Sequence, residues 1–228
     1  MTQVYLLEIP REKEKTALFH SLNFDTLPCS VRKKILTTGD GKTKIERVYA
    51  YGLLVKILGD FGLSAQMLDE KLLFDKKGKP FVEDSRLEFS VSHTDGMVAV
   101  ALSTDGAVGV DIEKADKDKE EKISKIVNRF CSGINLTQKI GCLIINAYID
   151  SNGSIIAADT PKTQIFDKNN AEFVKWTKLE AALKCHGGGF EALCELKSTF
   201  DSYSTESALI AHCGEIYVLS VANKNQQT

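Results

Sequence analysis

The stretch from Phe89 to Glu113 constrains the fold more than any other part of the chain, because turn signals divide it into strand-length segments. The pairs Asp95-Gly96 and Asp105-Gly106 favour tight turns between antiparallel strands. The segment from Met97 to Leu102 is continuously apolar, which predicts a strand buried on both faces. Together these signals predict a hairpin followed by a further strand.

The last segment of this stretch, Val108 to Glu113, alternates aliphatic residues with Gly109, Asp111 and Glu113. The two-residue period of a strand places Asp111 and Glu113 on the same face. Neighbouring carboxylates repel each other, and they are tolerated where a cation lies between them or where water reaches both. A solvated strand end is one interpretation, and a metal site is the other.

Length and composition set bounds on the class of protein. The 228 residues are enough for one large domain or two small ones. The net charge of -2 gives no reason to expect nucleic-acid affinity, and no apolar run is long enough to cross a bilayer. The six cysteines form no C-x-x-C pair and no zinc-type spacing with the histidines, which predicts small buried hydrophobes in a reducing compartment. We expect a soluble cytoplasmic protein without nucleic-acid or membrane partners.

The order of predicted elements is similar in the two halves of the chain. Each half contains a strand, an amphipathic helix and a hairpin with a histidine before its turn, which favours duplication. The predicted fold class is α+β, with two similar α/β subdomains at 1–106 and 107–228 that are related by a pseudo-twofold axis. We expect antiparallel sheets and a cleft between the subdomains, where ligands commonly bind. The predicted elements are a strand at Val4–Ile9, helices at Arg11–Asn23, Lys44–Phe61, Asp116–Phe130 and Ala171–Lys184, a hairpin at Cys142–Ala157, and two strands within Ser207–Ala222.

The helix predicted at Ala171–Lys184 carries Glu180 and Lys184 on one face, because four residues separate them. A surface ion pair is the ordinary interpretation of such a pair. With Asp111 and Glu113, however, Glu180 completes a set of three carboxylates that suits Mg²⁺. Magnesium bound in this way usually also holds substrate phosphates, and the basic residues available to neutralise them are Lys33, Lys34, Arg47, Lys79 and Lys184.

Three blocks of sequence resemble motifs of the Sfp-type 4′-phosphopantetheinyl transferases. G-K-P at Gly78–Pro80 and F-S-V-S-H at Phe89–His93 resemble the family pattern G-K-P followed by F-N-x-S-H. V-G-V-D-I-E at Val108–Glu113 matches V-G-x-D-x-E. F-V-K-W-T-K-L-E-A-A-L-K-C-H-G-G-G-F at Phe173–Phe190 resembles F-x-x-W-S/T-x-K-E-A-x-x-K-x-x-G-x-G. The blocks occur in the order of the family, and the length and the duplicated halves also fit.

The resemblance implies an enzyme that moves the 4′-phosphopantetheine arm of coenzyme A onto a serine of an apo acyl or peptidyl carrier protein and releases 3′,5′-ADP. It implies Mg²⁺ as the cofactor, held by Asp111, Glu113 and Glu180. Glu180, directly or through water, would act as general base, and Lys184 would neutralise the leaving phosphate. A single chain that holds both halves of the site also suggests a monomer. The implied coenzyme A contacts are Lys33, Lys34, Arg47, Lys79, Ser92 and His93.

The sequence departs from the family pattern at two positions of these motifs. Leu179 precedes Glu180 where the family has a lysine, and Lys178 points about 100° away around the helix. Any substrate contact that depends on that lysine is therefore in doubt. The asparagine of F-N-x-S-H is replaced by Ser90.

Several residues keep a structural alternative beside the functional one. A solvated basic turn is as plausible for Lys33 and Lys34 as a ligand role. Trp176 fits core packing that positions the neighbouring glutamate, and His212 fits a structural relic of the repeat. The region between Phe130 and Phe173 is longer than the family suggests, and we expect the hairpin at Cys142–Ala157 to shape the choice of carrier protein.

Two other function classes remain possible from the sequence. A magnesium-dependent phosphohydrolase could use the same carboxylates on a nucleotide, and it would turn over without a carrier protein. A module that binds coenzyme A or a carrier without chemistry is the second alternative, and the presence of every predicted acidic and basic catalytic residue argues against it.

Overall fold

The structure is a computed structural model that describes residues 1–9, 24–37, 41–130, 134, 145, 147–149 and 170–225. The predicted helix at Arg11–Asn23 and the predicted turn at Asn152-Gly153 lie outside these residues. The described chain is mixed α and β, with small sheets that are antiparallel except for one parallel strand pair, in agreement with the α+β prediction. No described helix has the length and apolar character needed to cross a bilayer.

Most predicted elements are present, with bounds that differ by a few residues; the helix predicted from Lys44, for example, begins at Gly41. The strands are β1 (Thr2–Glu8), β2 (Leu72–Phe74), β3 (Pro80–Val82), β4 (Glu88–Thr94), β5 (Met97–Ser103), β6 (Val108–Lys114), β7 (Ala147–Ile149), β8 (Tyr203–His212) and β9 (Glu215–Lys224). The α-helices are α1 (Cys29–Leu36), α2 (Gly41–Asp60), α3 (Ala65–Lys71), α4 (Lys117–Phe130), α5 (Ala171–His186) and α6 (Leu193–Thr199).

The first sheet has the strand order β4-β5-β1-β7. β5 runs antiparallel to both of its neighbours, and every one of its residues is buried, which confirms the prediction from its continuous apolar sequence. β7 pairs in parallel with β1, with Ala147 opposite Tyr5. The strand predicted in this region therefore extends the edge of the first sheet.

The second sheet has the order β6-β9-β8, in which β8 and β9 form a hairpin around Cys213-Gly214. In each sheet the second strand of a hairpin pairs with an earlier strand of the chain, β5 with β1 and β9 with β6. A third, separate sheet is the short hairpin of β2 and β3. The shared strand order is what a duplication requires, whereas the pseudo-twofold relation and the boundary near residue 106 stay predictions.

The two larger sheets pack face to face through alternate residues of their strands, as the two-residue period requires. The opposite face of the first sheet is covered by α2, and the opposite face of the second sheet is covered by α5. The described chain is therefore layered as helix, sheet, sheet and helix. The core between the sheets includes Val4 and Leu6 of β1, Met97, Ala99 and Ala101 of β5, Val108, Val110 and Ile112 of β6, and Leu219 and Val221 of β9.

Hydroxyl side chains of β4 close the open edge of β6. Ser90, Ser92 and Thr94 point to the same side of the first sheet, and each is nearly inaccessible to solvent. Their oxygens accept hydrogen bonds from the backbone N–H groups of residues 110, 112 and 114, at 3.1, 3.3 and 3.3 Å. A buried strand edge without partners would be costly, so these bonds join the two sheets where backbone pairing stops.

Helix α5 lies so close to β6 that only glycine fits at position 109. A Cβ on Gly109 would lie 1.9 Å from the carbonyl oxygen of Ala181 and 2.5 Å from the amide nitrogen of Cys185. The contacting atoms belong to the helix backbone, which cannot move aside without moving the whole helix. Gly109 therefore fixes how closely α5 approaches the strand that carries Asp111.

We expect Gly109→Ala to destabilise the protein by about 1–3 kcal/mol or more, because the added methyl overlaps the α5 backbone. The matched control is Gly52→Ala within α2, where a Cβ meets nothing within 4 Å. Alanine there should be neutral or stabilising by about 0.5–1 kcal/mol, because it favours the helix. Urea unfolding of both variants measures the difference, and equal effects would contradict the close approach of α5.

Candidate active site

A cavity of about 310 Å³ is lined by residues from both halves of the sequence. Its apolar lining includes Ala50, Tyr51, Pro80, Val91, Leu183 and Phe190. Its ionisable lining consists of Lys34, Arg47, Lys77, Lys79, His93, Glu180 and Lys184. Five lysine or arginine side chains face one carboxylate, so the cavity favours an anionic ligand such as a phosphate ester.

Five elements bring these side chains together. α1 contributes Lys34 and α2 contributes Arg47, while the turn between β2 and β3 carries Lys77 and Lys79. His93 lies near the end of β4. The last two turns of α5 present Glu180 and Lys184, and the helix ends at Gly187 in a left-handed conformation with φ of 86°.

His93 is held by a carboxylate from the neighbouring helix. Its Nδ1 atom lies 3.1 Å from Oε2 of Glu46, and both side chains are largely buried. This contact fixes the ring and leaves Nε2 for the cavity that His93 lines. Glu46 is therefore a positioning residue, and the sequence offered no signal for it beyond its place beside Arg47.

Arg47 presents an unsatisfied donor. Its Nη1 atom is buried and has no hydrogen-bond partner among the described residues. A buried charged donor without a partner is unfavourable, and an anionic oxygen in the adjoining cavity would satisfy it. An unpaired donor on a residue that lines the cavity is consistent with an anionic ligand.

Ser92, Asp111 and Lys184 form a closed triangle behind the cavity wall. Lys184 Nζ lies 2.7 Å from Asp111 Oδ1 and donates to Ser92 Oγ at 2.9 Å, while Ser92 Oγ donates to Asp111 Oδ1 at 2.8 Å. Asp111 is 6% exposed, so its charge is compensated mainly by this lysine. The triangle links β4, β6 and α5 at one point.

Glu113 lies two residues further along β6 and has different partners. Its Oε1 atom accepts hydrogen bonds from Lys119 Nζ at 2.6 Å and from Thr94 Oγ1 at 3.3 Å. Lys119 belongs to the first turn of α4, which follows β6 directly in the chain. The two carboxylates predicted to share a face therefore each have a lysine partner in the structure.

Burial is the main cause that raises the pKa of Glu180, to about 7. The negative charges of Asp111 and Glu113 raise it further, and the ammonium of Lys184 lowers it. A carboxyl with a pKa near neutrality suits proton transfer. The shift follows mainly from removal of the carboxyl group from water, and the two neighbouring carboxylates add to it.

The three carboxylates have the chemistry of a magnesium site, but they are not clustered tightly. Among the described residues, the group of potential metal ligands whose donor atoms all lie within 4.8 Å of one another is Glu8, His212 and Cys213. Asp111, Glu113 and Glu180 are thus more widely spaced, with Asp111 and Glu113 turned towards lysines. Their role as metal ligands stays a prediction.

The mouth of the cavity is formed by the segment that follows α5. Phe190 is 48% exposed and stacks on Trp176, with ring centroids 5.8 Å apart. Glu191 forms an ion pair with Lys77, which connects this segment to the β2–β3 turn. Trp176 therefore supports an aromatic side chain of the cavity wall, a role that sequence reasoning did not identify.

The structure brings most of the predicted site residues together. Lys34, Arg47, Lys79, His93, Glu180 and Lys184 line the cavity, and Ser92 and Asp111 lie directly behind Lys184. Lys34 faces the cavity whereas Lys33 is exposed outside it, so the basic pair divides into one lining residue and one solvated residue. Lys77 was missed, although it lies in the same D-K-K-G-K-P turn as Lys79.

The prediction that the cysteines are buried is wrong for three of the four described ones. Cys185 is buried, but Cys29, Cys194 and Cys213 are exposed. Each exposed residue lies at the start of a helix or in a turn, where the apolar periodicity of the neighbouring sequence does not apply. The four described cysteines are free thiols.

Comparison with known protein families finds none that matches the chain, and comparison with curated proteins finds no significant match. A functional conclusion therefore depends on the site geometry and on the motifs themselves.

We expect Glu180 to make the stability of the metal-free protein depend on pH. Its pKa is raised from an ordinary value of 4.5 to about 7, so the unfolded chain ionises first and stability falls as pH rises through this interval. The loss should be at most about 3 kcal/mol. Thermal unfolding with a chelator at pH 5 and pH 8 should show that Glu180→Gln removes the loss.

The control for this measurement is Glu121→Gln, because Glu121 is 81% exposed on α4. This variant should keep the pH profile of the parent protein. A parent profile that is flat between pH 5 and pH 8, or an unchanged profile in Glu180→Gln, would contradict the assignment.

Proposed function

We propose that this protein transfers the 4′-phosphopantetheine arm of coenzyme A to a serine of an apo acyl or peptidyl carrier protein. The observation that carries the proposal is that residues of three separate sequence motifs line or adjoin one cation-rich cavity. They are Lys79 and His93, then Asp111, then Glu180 and Lys184. Their meeting supports a single site for a polyphosphate substrate.

The cavity suits the phosphate end of coenzyme A. Arg47 has an unsatisfied buried donor and His93 is oriented by Glu46, so both are ready to contact the 3′-phosphate. Lys34 and Lys79 would neutralise the remaining phosphate charge. A volume of about 310 Å³ is small for a ligand site, so the pantetheine arm would extend out of the cavity.

The residues fit a divalent cation in donor type and in charge. Asp111, Glu113 and Glu180 provide the hard oxygen donors that Mg²⁺ prefers. When bound, Mg²⁺ would neutralise charge that builds on the pyrophosphate. The family resemblance assigns these residues to that role.

Glu180 and Lys184 would carry out the chemistry. As the serine oxygen bonds to the phosphorus that carries pantetheine, the bridging P–O bond breaks and 3′,5′-ADP leaves. Glu180, with its pKa near neutrality, would accept the serine proton. The ammonium of Lys184 contacts Asp111 and also lines the cavity. It would stabilise the negative charge that develops on the leaving phosphate.

The finer architecture belongs to the same proposal. We infer two subdomains related by a pseudo-twofold axis, with the cavity as the cleft between them. The matching orders β4-β5-β1 and β8-β9-β6 support this relation, as does a cavity lined by residues of both halves. Both halves of the site lie in one chain, so we infer a monomer that completes the site without a partner subunit. We also infer that the protein is cytoplasmic.

Intact-mass spectrometry tests the reaction directly. Several purified apo carrier proteins are incubated with this protein, coenzyme A and Mg²⁺, and we expect at least one to gain the mass of a phosphopantetheine arm. Glu180→Gln should slow the transfer by about 10²–10⁴-fold, because the proton acceptor is lost. A chelator should abolish the gain.

Two outcomes would replace this proposal by another function class. Release of phosphate from coenzyme A without a carrier would favour the phosphohydrolase alternative, since the cavity would then present its substrate to water. Binding of coenzyme A with no transfer to any tested carrier would favour the binding module.

Adjacent lysines of α1 provide a matched test of the cavity. Lys34→Ala should weaken coenzyme A binding by about tenfold, because it removes a lining cation. Lys33→Ala changes the same charge on the same helix outside the cavity, and it should have little effect. Isothermal titration gives both dissociation constants, and equal weakening would show that only the net charge matters.

A further inference from the structure

A second cluster of reactive side chains lies where strands of the two larger sheets end. Glu8 is the last residue of β1, His212 is the last residue of β8, and Cys213 begins the turn to β9. His212 Nε2 lies 2.9 Å from Glu8 Oε1 and 3.2 Å from Cys213 Sγ, and the three donor atoms all lie within 4.8 Å of one another. None of these residues lines the cavity of the candidate active site.

The same nitrogen of His212 faces both the carboxylate and the thiol. A catalytic relay would need Nδ1 on the carboxylate and Nε2 on the thiol, so this arrangement is not a cysteine–histidine nucleophile. A neutral Nε2 either donates to Glu8 or accepts from Cys213, but it cannot do both. Three side chains that could ligate a metal ion thus present their donor atoms within 4.8 Å of one another.

We propose that Glu8, His212 and Cys213 bind a thiophilic divalent cation of the Zn²⁺ class. Thiolate, imidazole and carboxylate are the ligands that zinc takes, and a thiolate excludes the magnesium expected elsewhere. Tetrahedral zinc places its donors roughly 3.3–3.6 Å apart, so the observed separations need only small adjustments. The ion balances the two negative ligands, and the exposure of Cys213 leaves room for water as the fourth ligand.

The turn geometry gives independent support. Cys213 has φ of 50° and Gly214 has φ of 80°, so both turn residues occupy the left-handed region. This two-residue hairpin turn normally carries asparagine or aspartate before glycine, and cysteine is an unfavourable choice there. A cysteine in this conformation beside a histidine and a glutamate is consistent with a function for its sulfur.

The surroundings of the cluster hold further negative charge. Lys114 Nζ lies 3.0 Å from Glu215 and 4.0 Å from Asp95, which places both carboxylates at this end of the sheets. Burial, and then Glu215, Asp95, Cys213 and Glu8, raise the pKa of Tyr217 to about 12. The phenol therefore stays protonated, and the nearby Asp95 and Glu215 are paired with Lys42 and Lys114.

A bound ion would connect the two sheets, since Glu8 belongs to the first sheet and His212 to the second. Binding to the folded state alone would raise the melting temperature of the protein. The proposal does not rest on the proposed transferase activity. A variant of Cys213 should leave phosphopantetheine transfer unchanged.

The test uses the full chain loaded with Co²⁺, which substitutes for zinc and gives a thiolate-to-metal charge-transfer band in the near ultraviolet. We expect this band in the parent protein, and elemental analysis after zinc loading should give about one ion per chain. Cys213→Asn should abolish the band while favouring the turn, because asparagine tolerates the left-handed conformation. Cys194→Ser removes an exposed thiol elsewhere and should keep the band.

Glu8→Gln keeps a hydrogen-bonding side chain and removes the anionic ligand, and it should weaken zinc binding by about tenfold or more in competition with a chromogenic chelator. Excess Mg²⁺ should not displace the ion. A parent protein without the charge-transfer band, a band that persists in Cys213→Asn, or unchanged affinity in Glu8→Gln would each overturn the three-residue site.

Discussion

The edge of β6 is the constraint on which the rest of the structure depends. This strand is the outer strand of the second sheet, yet its N–H groups are buried against the first sheet. Ser90, Ser92 and Thr94 satisfy those groups with side-chain oxygens, so two separate sheets meet without a continuous backbone ladder. The hydroxyls also fix the register between the strands that carry His93 and Asp111. An apolar β4 would bury as much surface but would leave the β6 donors unpaired.

The candidate site is a consequence of this junction. Because Ser92 is bound to the backbone of β6, it also reaches Asp111, and Gly109 lets α5 approach until Lys184 reaches the same carboxylate. One ammonium then serves Asp111, while burial and the neighbouring carboxylates disfavour the charged form of Glu180. The adjoining cavity carries five lysine or arginine side chains, so it suits an anionic ligand.

The sequence alone predicts those strands and helices whose apolar pattern lies within the element itself. Continuous apolar character predicted β5, and the helical period predicted α2 and α5, because burial of a face imposes the period on the residues. Contacts made between distant segments have no such signature. Glu46 is one of many surface-type glutamates in the sequence, and only the fold places it on His93. Likewise, β7 pairs in parallel with β1 although β2 to β6 lie between them in the chain, and no turn motif predicts this pairing.

The departure at Leu179 shows how a motif position depends on its environment. Leu179 is fully buried in the core between α5 and the second sheet, and Lys178 beside it is only 1% exposed. A lysine at 179 would place an ammonium in this apolar layer, and burial already lowers the pKa of the adjacent Lys178. Leu179→Lys would thus destabilise this chain. Here the leucine belongs to the core, and Lys184, further along the same helix, supplies the ammonium that contacts Asp111.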